Sequence, residues 1–329
     1  MRTFIIDMMS GDLGSAATKE AVLSFHKDHP DYQLVLVGKK EELSDLEGFE
    51  IIEADKIVRM DAGAMEILHD KESSMVKAIY ACRDRHADGV ISAGGTGAFL
   101  TASTLILKKI PGVNRPALVT EFPNLAPSAD GYTTILDCGA SNRNTPEELA
   151  QFAVMGSVFN KAVRGNESPR VKLLSNGTED AKGSPESKEA FKIIKQQNKV
   201  NFLGNIEANQ VTQNGADVVV CDGYVGNVLL KSTEGVAKGM GAEIKKVFKR
   251  NLFSKIGYLF EKKGVKAMSK KLDPKNVGGA MLLGINGVAV KAHGNSDARG
   301  FRSAMEVGYR MIEAEIVSKI QKGLEESNG

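Results

Sequence analysis

Only three cysteines occur in the chain, Cys82, Cys138 and Cys221, and no two of them form a CxxC pair. An odd, unpaired set excludes a disulfide scaffold and reads as reduced core residues of a cytosolic protein. No stretch approaches the uninterrupted run of about 20 apolar residues that a spanning helix needs, so membrane contact would have to be peripheral. The N-terminal segment MRTFIIDMMSGD lacks the long apolar region of a secretory signal and reads as a first strand. Also missing are an HExxH motif, a close carboxylate cluster and a GxSxG elbow, so nothing marks a metal centre or a serine nucleophile. An excess of one charge is missing too: 43 Lys and Arg stand against 41 Asp and Glu, a formal net charge of +2. The overall balance names no partner.

What is present is a chain of 329 residues, 42% hydrophobic and 26% charged, with 34 Gly and 9 Pro. That composition is soluble and globular, with enough apolar residues for a sizeable core. Short Val-, Ile- and Leu-rich runs recur at 3–7, 33–38, 49–53, 89–93, 116–122, 133–138, 170–175, 201–205, 218–221 and 287–291. Most are apolar on both faces, as in strands covered by helices on either side of a mostly parallel sheet. Helical spacing follows at 65–83, 98–108, 145–162, 188–197, 226–246 and 302–324. The pattern predicts an α/β fold, a three-layer α/β/α sandwich in which the loops after the strands' C-terminal ends do the chemistry. With no internal repeat, and strands on both sides of the 176–187 loop, residues 1–329 are expected to form one catalytic domain.

Several of those loops look built for anions. After the fourth strand come Ser92, Ala93, Gly94, Gly95, Thr96 and Gly97, then a helix. Adjacent glycines admit close approach of an oxyanion, and free amides at a helix start favour negative charge. The string is neither GxGxxG nor a P-loop, and a tight structural turn would use the same residues. Ser73 and Ser74 offer hydroxyls ahead of another helix, where plain capping accounts for them equally well. Lys182, in the loop TEDAKG, can neutralise a phosphate or a developing oxyanion. In VVVCDGYVGNVLLK a strand runs into Asp222, and Asn227 opens the next helix; either residue also serves as a cap. His293 lies after the last strand, where a structural role is equally open.

The stretch 244–272 differs from its surroundings. It carries ten Lys and Arg against the single acid Glu261, interleaved with Phe248, Leu252, Phe253, Leu259 and Phe260. Lys245 and Lys255 intrude on the apolar stripe of a continuous helix, so a break near 251–257 and a basic amphipathic helical hairpin fit better. No nucleic-acid recognition motif accompanies the charge.

Taken in order, KESSM from Lys71, SAGGTGA from Ser92, IPGVNRPAL from Ile110, DCGA from Asp137, QFAVMGSVF from Gln151, FLGNIE from Phe202, VVVCDGYVGNVLLK from Val218 and HGNSDA from His293 resemble the PlsX family of bacterial phosphate acyltransferases. The resemblance covers nearly the whole chain. It implies a Rossmann-like fold similar to the isocitrate dehydrogenase and phosphate acetyltransferase type, a homodimer, and use of neither NAD nor a metal. It implies transfer of a fatty acyl group from acyl carrier protein to inorganic phosphate, the acyl phosphate passing to a membrane acyltransferase of phospholipid synthesis. Lys182 and Asn227 would stand closest to the chemistry. Ser73, Ser74, Gly94, Gly95, Thr96, Gly97 and Asp222 would hold phosphate or the reacting carbonyl, with His293 of second rank. The resemblance also implies a cytoplasmic enzyme on the inner face of the membrane, the anionic surface or the acidic carrier being met by Lys249, Arg250, Leu252, Phe253, Lys255, Leu259 and Phe260.

Three departures from the family pattern stand out. Leu13 occupies the position of a histidine in the family's first loop, Gly95 replaces an asparagine, and residues 141–144 read Ser-Asn-Arg-Asn, placing a guanidinium beside the pocket. Two other readings compete: a phosphotransacylase using acyl coenzyme A, and a non-catalytic scaffold for membrane and carrier protein.

Overall fold

Runs of branched apolar residues are buried on both faces of the strands they form. In β1 (Thr3–Asp7), Phe4 and Ile6 enter one apolar cluster and Ile5 another, so successive residues serve opposite faces. The structure, a computed structural model, describes residues 2–59, 64–126, 131–273 and 278–325. The other strands are β2 (Gln33–Gly38), β3 (Glu50–Glu53), β4 (Gly89–Ser92), β5 (Ala117–Pro123) and β6 (Tyr132–Leu136). They continue with β7 (Arg170–Leu174), β8 (Asn201–Ile206), β9 (Val218–Val220), β10 (Ala280–Leu283) and β11 (Val288–Lys291). Together they form one sheet in the order β3-β2-β1-β4-β11-β10-β5-β6-β9-β7-β8.

Helices cover both faces. One cluster takes Phe25 from α1 (Gly14–Asp28), Phe152 from α6 (Pro146–Arg164), Phe191 from α7 (Pro185–Gln197), Phe301 from α10 (Ala298–Glu313) and Ile320 from α11 (Ile316–Glu325). A second takes Ile67 from α3 (Ala64–His69), Met75 and Ile79 from α4 (Ser74–Asp84) and Phe99 from α5 (Thr96–Leu107). A short α2 (Lys40–Leu43) precedes β3. This is the mostly parallel, helix-sandwiched sheet expected. Cys82, Cys138 and Cys221 are buried free thiols, and burial raises the pKa of each.

One expectation is corrected by the strand directions. β3, β2, β1, β4 and β11 run parallel to one another, and β6, β9, β7 and β8 do so among themselves. Between these blocks stand the antiparallel pairings β11 with β10, β10 with β5 and β5 with β6. Three reversals set the blocks in opposite directions, so the loops do not all leave one rim.

Several elements differ from those expected, the short α2 among them. α1 and β10 were not expected; β10 is four residues, close to glycines at either end. The helix expected over 65–83 is two, parted where Ser73 takes an extended conformation. The helix expected over 302–324 is parted at Glu315, whose φ of 51° is left-handed.

α8 (Gly223–Lys249) lays Leu229 and Leu230 against a third buried cluster that holds Phe122, Ile135 and Val219, and the rest of it and α9 (Leu252–Leu272) are largely exposed. Gly223 and Gly226 are the buried residues of α8, and α9 has none. The break falls at Asn251, whose side chain caps α9 by accepting the Ser254 N–H at 2.8 Å, and Phe248 and Tyr258 meet across it with ring centroids 5.3 Å apart. Among the described residues no helix is long and apolar enough to cross a membrane.

Candidate active site

The parallel neighbours β1, β4 and β11 bring three loops together. The Asp7 carboxylate, at the end of β1, accepts the N–H groups of Met9 (3.2 Å) and Ser10 (3.4 Å) and the Ser92 hydroxyl (2.6 Å). Ser92 Oγ in turn accepts the Gly94 N–H at 3.0 Å. The Ala292 N–H donates to Ser92 O (3.0 Å) and the Asp12 N–H to Gly294 O (2.7 Å), tying the loop after β11 to the other two. Gly94 is closely hemmed in: a Cβ there would stand 2.8 Å from Met75 Sδ, 3.2 Å from Ser92 Oγ and 3.4 Å from Ser10 Oγ, so a side chain would require Met75 to shift. The chain then enters α5 with Gly95 as its N-cap and Thr96 and Gly97 exposed in the first turn.

This cradle carries features that call for an anion. The starts of α4 and α5 have no side-chain cap bond and no acid in the first turn. Ser74 Oγ is fully buried without a hydrogen-bond partner. Ser73 is different: its hydroxyl donates to Asp70 O at 2.8 Å, which accounts for it structurally. Lys291, paired with Ser92 on the neighbouring strand, is 6% exposed. Its ammonium donates to Ala292 O, and among the described residues no carboxylate pairs directly with it. Burial lowers its pKa to about 8, opposed by Asp7 and Asp12 and reinforced by Lys231 of α8. Burial likewise lowers His293 below its ordinary value, which favours a neutral imidazole near pH 7. Among the described residues no group of three or more His, Cys, Asp or Glu could hold a metal ion.

A second cluster forms around Asp137. Its buried carboxylate accepts the N–H groups of Leu118 (3.0 Å), Gly139 (3.1 Å) and Ala140 (2.9 Å) and the Ser141 hydroxyl (2.7 Å). Burial raises its pKa against those four donors. The start of α8 packs directly on this loop. A Cβ on Gly223 would fall 2.2 Å from Ser141 O, and the Asn227 side chain lies against Gly139. Asp222 is the helix cap, accepting the Val225 N–H at 2.9 Å. Asn144 accepts the Gly223 N–H at 3.2 Å, and Arg143 pairs with Glu186 at the start of α7. The guanidinium among the departures is therefore engaged by a carboxylate.

Lys182 is exposed, its own N–H bonded to Glu179 O at 3.0 Å. The adjacent Gly183 takes φ +109° and, with Ser175, Asn176, Asp222, Val225 and Leu229, lines a hollow against α8. Two residues apart on a helix, Val225 and Asn227 point about 200° apart. Within one chain, then, the hollow beside Lys182 and the Asn227 side chain lie on opposite faces of α8. On Asn227's side, Lys231 follows one turn later and acts electrostatically on both Lys291 and His293. The first turns of α8 thus touch the Asp137 loop through Asn227 and act on Lys291 and His293 through Lys231, while Lys182 follows the strand next to β9 and sits beside the hollow on the other face of α8.

The family model described as fatty acid synthesis protein matches residues 3–319. The chain belongs to that family. A phosphate acyltransferase of Neisseria meningitidis is 39% identical over 336 residues, covering 99% of this chain and 95% of that relative. One from Clostridium botulinum is 39% identical over 334 residues, covering 98% and 99%. Among solved structures, a phosphotransacetylase from Streptococcus pyogenes aligns with a TM-score of 0.61 at 15% identity, covering 95% of this chain and 94% of that one. A branched-chain phosphotransacylase from Enterococcus faecalis aligns at 0.55 and 14% identity, covering 95% and 99%. The structural matches share the fold. Within the family frame, the residue that sequence reasoning missed is Lys291: in VAVKAHG it reads as a strand end, and only its burial beside Ser92 marks it out.

Proposed function

We propose that the chain is a phosphate acyltransferase that moves a fatty acyl group from acyl carrier protein to inorganic phosphate. A phosphate oxygen attacks the thioester carbonyl, a C–O bond forms, and the tetrahedral oxyanion collapses with cleavage of C–S. Acyl phosphate and the carrier's thiolate leave, and the thiolate takes a proton from solvent. Two anions must approach each other in this step, which is favourable only among fixed donors and cations. The observation that carries the reading is the buried Lys291, which among the described residues has no direct carboxylate partner and stands in register with Ser92, the residue that leads into the Gly94, Gly95 and Thr96 turn. Phosphate binds there, with Gly97 and His293 at its edge. Lys182 and Asn227 stabilise the oxyanion, and Asp222 holds Asn227's helix in place.

Residues 1–329 act as one catalytic domain, from which 244–272 projects as a basic helical hairpin. The tips of that pair support a peripheral contact with the anionic inner face of the cell membrane: Phe253 and Phe260 are 84% and 83% exposed, close to Lys249, Arg250 and Lys255. The product acyl phosphate passes to a membrane acyltransferase. The exposed Val236, Met240 and Val247 of α8 support a homodimer, in which a partner's Lys182 can reach the face of α8 that carries Asn227.

The test is phosphate-dependent thiol release from hexadecanoyl carrier protein beside the matching coenzyme A ester. Faster turnover of the carrier ester is expected; faster turnover of the coenzyme A ester would favour the alternative donor, and no turnover of either would leave a scaffold.

A further inference from the structure

Beneath the inner face of α8 runs a narrow apolar slot. Phe122, Pro123 and Leu125 from the end of β5 form one wall, and Leu230 and Ala237 of α8 with Leu272 of α9 the other. Glu121 on the first wall is held by the Arg164 guanidinium, with Nε to Oε1 at 2.6 Å, so its charge is spent locally. His293 lines it too, with Glu234 and Asp273 close enough to act on its imidazole.

His293 is also part of the cradle's framework. Its neighbours Ala292 and Gly294 bond to Ser92 and Asp12, at 3.0 and 2.7 Å, so the slot opens beside the loop that ends in Gly94. A ligand occupying both places needs an anionic or polar head and a long, thin apolar tail. From Leu230 to Ala237 the α8 wall extends about 10 Å. We propose that this slot binds the hydrocarbon chain of the substrate, placing the reacting acyl carbon beside His293 at the edge of the cradle. This rests on the acyltransferase reading and adds to it a binding site for the chain.

Each methylene buried in such a slot is worth about fourfold in affinity. Chain-length preference is therefore written in the wall residues, and narrowing the slot penalises long chains selectively. Ala237→Phe is expected to lower the ratio of kcat/KM for hexadecanoyl over butanoyl carrier protein at least about tenfold. An unchanged ratio would overturn the slot assignment while leaving phosphate-dependent transfer intact.

A second measurement is independent of catalysis and of that variant's folding. The chain has no tryptophan, so Leu125→Trp in the full-length protein gives a single reporter on the slot wall. Hexadecanoate is expected to shift its emission to the blue and butanoate to leave it unmoved. No response to hexadecanoate would sink the proposal. Should wild type release no carrier thiol at all, the acyltransferase reading fails, and this titration still decides whether the slot takes an acyl chain.

Discussion

Gly226 sits so close to Asp137 that a Cβ placed on it would come within 1.9 Å of the Asp137 carbonyl oxygen. The first turns of α8 are thereby laid on the backbone of the Asp137 loop, and Asn227 is held against Gly139. Gly226→Ala cannot be absorbed by a side-chain rotation, since the obstacle is backbone. The expected loss is at least about 1–3 kcal/mol, with activity falling further than stability because Asn227 moves with the helix. Gly235→Ala, where nothing lies within 4 Å, makes the comparison. It is expected to gain about 0.5–1 kcal/mol from lower backbone entropy in the unfolded chain. Chemical denaturation of both variants measures the difference.

Lys291 makes the cradle sensitive to pH. Its pKa falls from 10.5 in the unfolded chain to about 8 in the fold, so the empty protein suffers a buried charge below pH 8. Between about pH 8 and 10.5 the unfolded chain holds a proton that the folded one has released, and stability is expected to rise with pH across that window. An anion in the cradle works the other way. Sulfate, which does not titrate here, should bind with proton uptake and lose about tenfold in affinity per pH unit above about 8. Calorimetry in buffers of different ionisation enthalpy reads the uptake. In Lys291→Met the slope should vanish; a slope that persists would remove Lys291 from the anion site.

The sheet and its double burial were legible because runs such as FII in β1 and VVV in β9 are apolar on both faces. The strand-to-helix turns at Gly94, Gly95 and Ser74 were legible as turns, but their residues served a structural turn or a cap as well as an anion site, so sequence alone left their role open. Strand direction was not legible. A four-residue β10 between glycines carries no signal of its own, yet it helps to reverse the second block. With that reversal went the single rim: the loops after β6, β9 and β7, which lead to Asp137, Asn227 and Lys182, leave the opposite rim from the loops of the cradle. Lys291 was hidden for a different reason: a lysine at a strand end reads as solvated until Ser92 and Asp7 are seen to enclose it. Where α10 gives way to α11 the apolar period barely changes, so one left-handed residue, Glu315, was invisible to periodicity.

Exposed aromatic rings on a cationic helix make a prediction that separates hydrophobic from electrostatic attachment. Phe253→Ser with Phe260→Ser removes two side chains that contribute nothing to the core, so the melting temperature should hold. Each ring entering the headgroup boundary is worth about 2 kcal/mol, so the double variant should lose several hundredfold in partition to vesicles containing anionic lipid. Lys249→Gln with Lys255→Gln should instead weaken binding chiefly at low ionic strength, about 1 kcal/mol for each charge. Flotation at two salt concentrations distinguishes the two. Binding by the phenylalanine double variant equal to wild type would exclude these helices as the anchor.

Lys182 and Asn227 give the sharpest test of how the site is completed. Each single alanine variant is expected to lose about a hundred- to a thousandfold in kcat, the scale of one oxyanion donor. If both groups served from one chain, a mixture of the two variants would be as inactive as either alone. If Lys182 of one copy serves the face of α8 that carries Asn227 in its partner, half of an equimolar, re-equilibrated mixture is mixed dimer, and each such dimer has one site with both groups intact. About a quarter of wild-type activity should then return. Recovery on mixing after mild dissociation, with none when the variants are combined without subunit exchange, places the active site across two copies. Absence of recovery in dimers shown to have exchanged would confine it to one chain, and Lys182 would have to reach Asn227 around α8 by movement of the 176–183 loop.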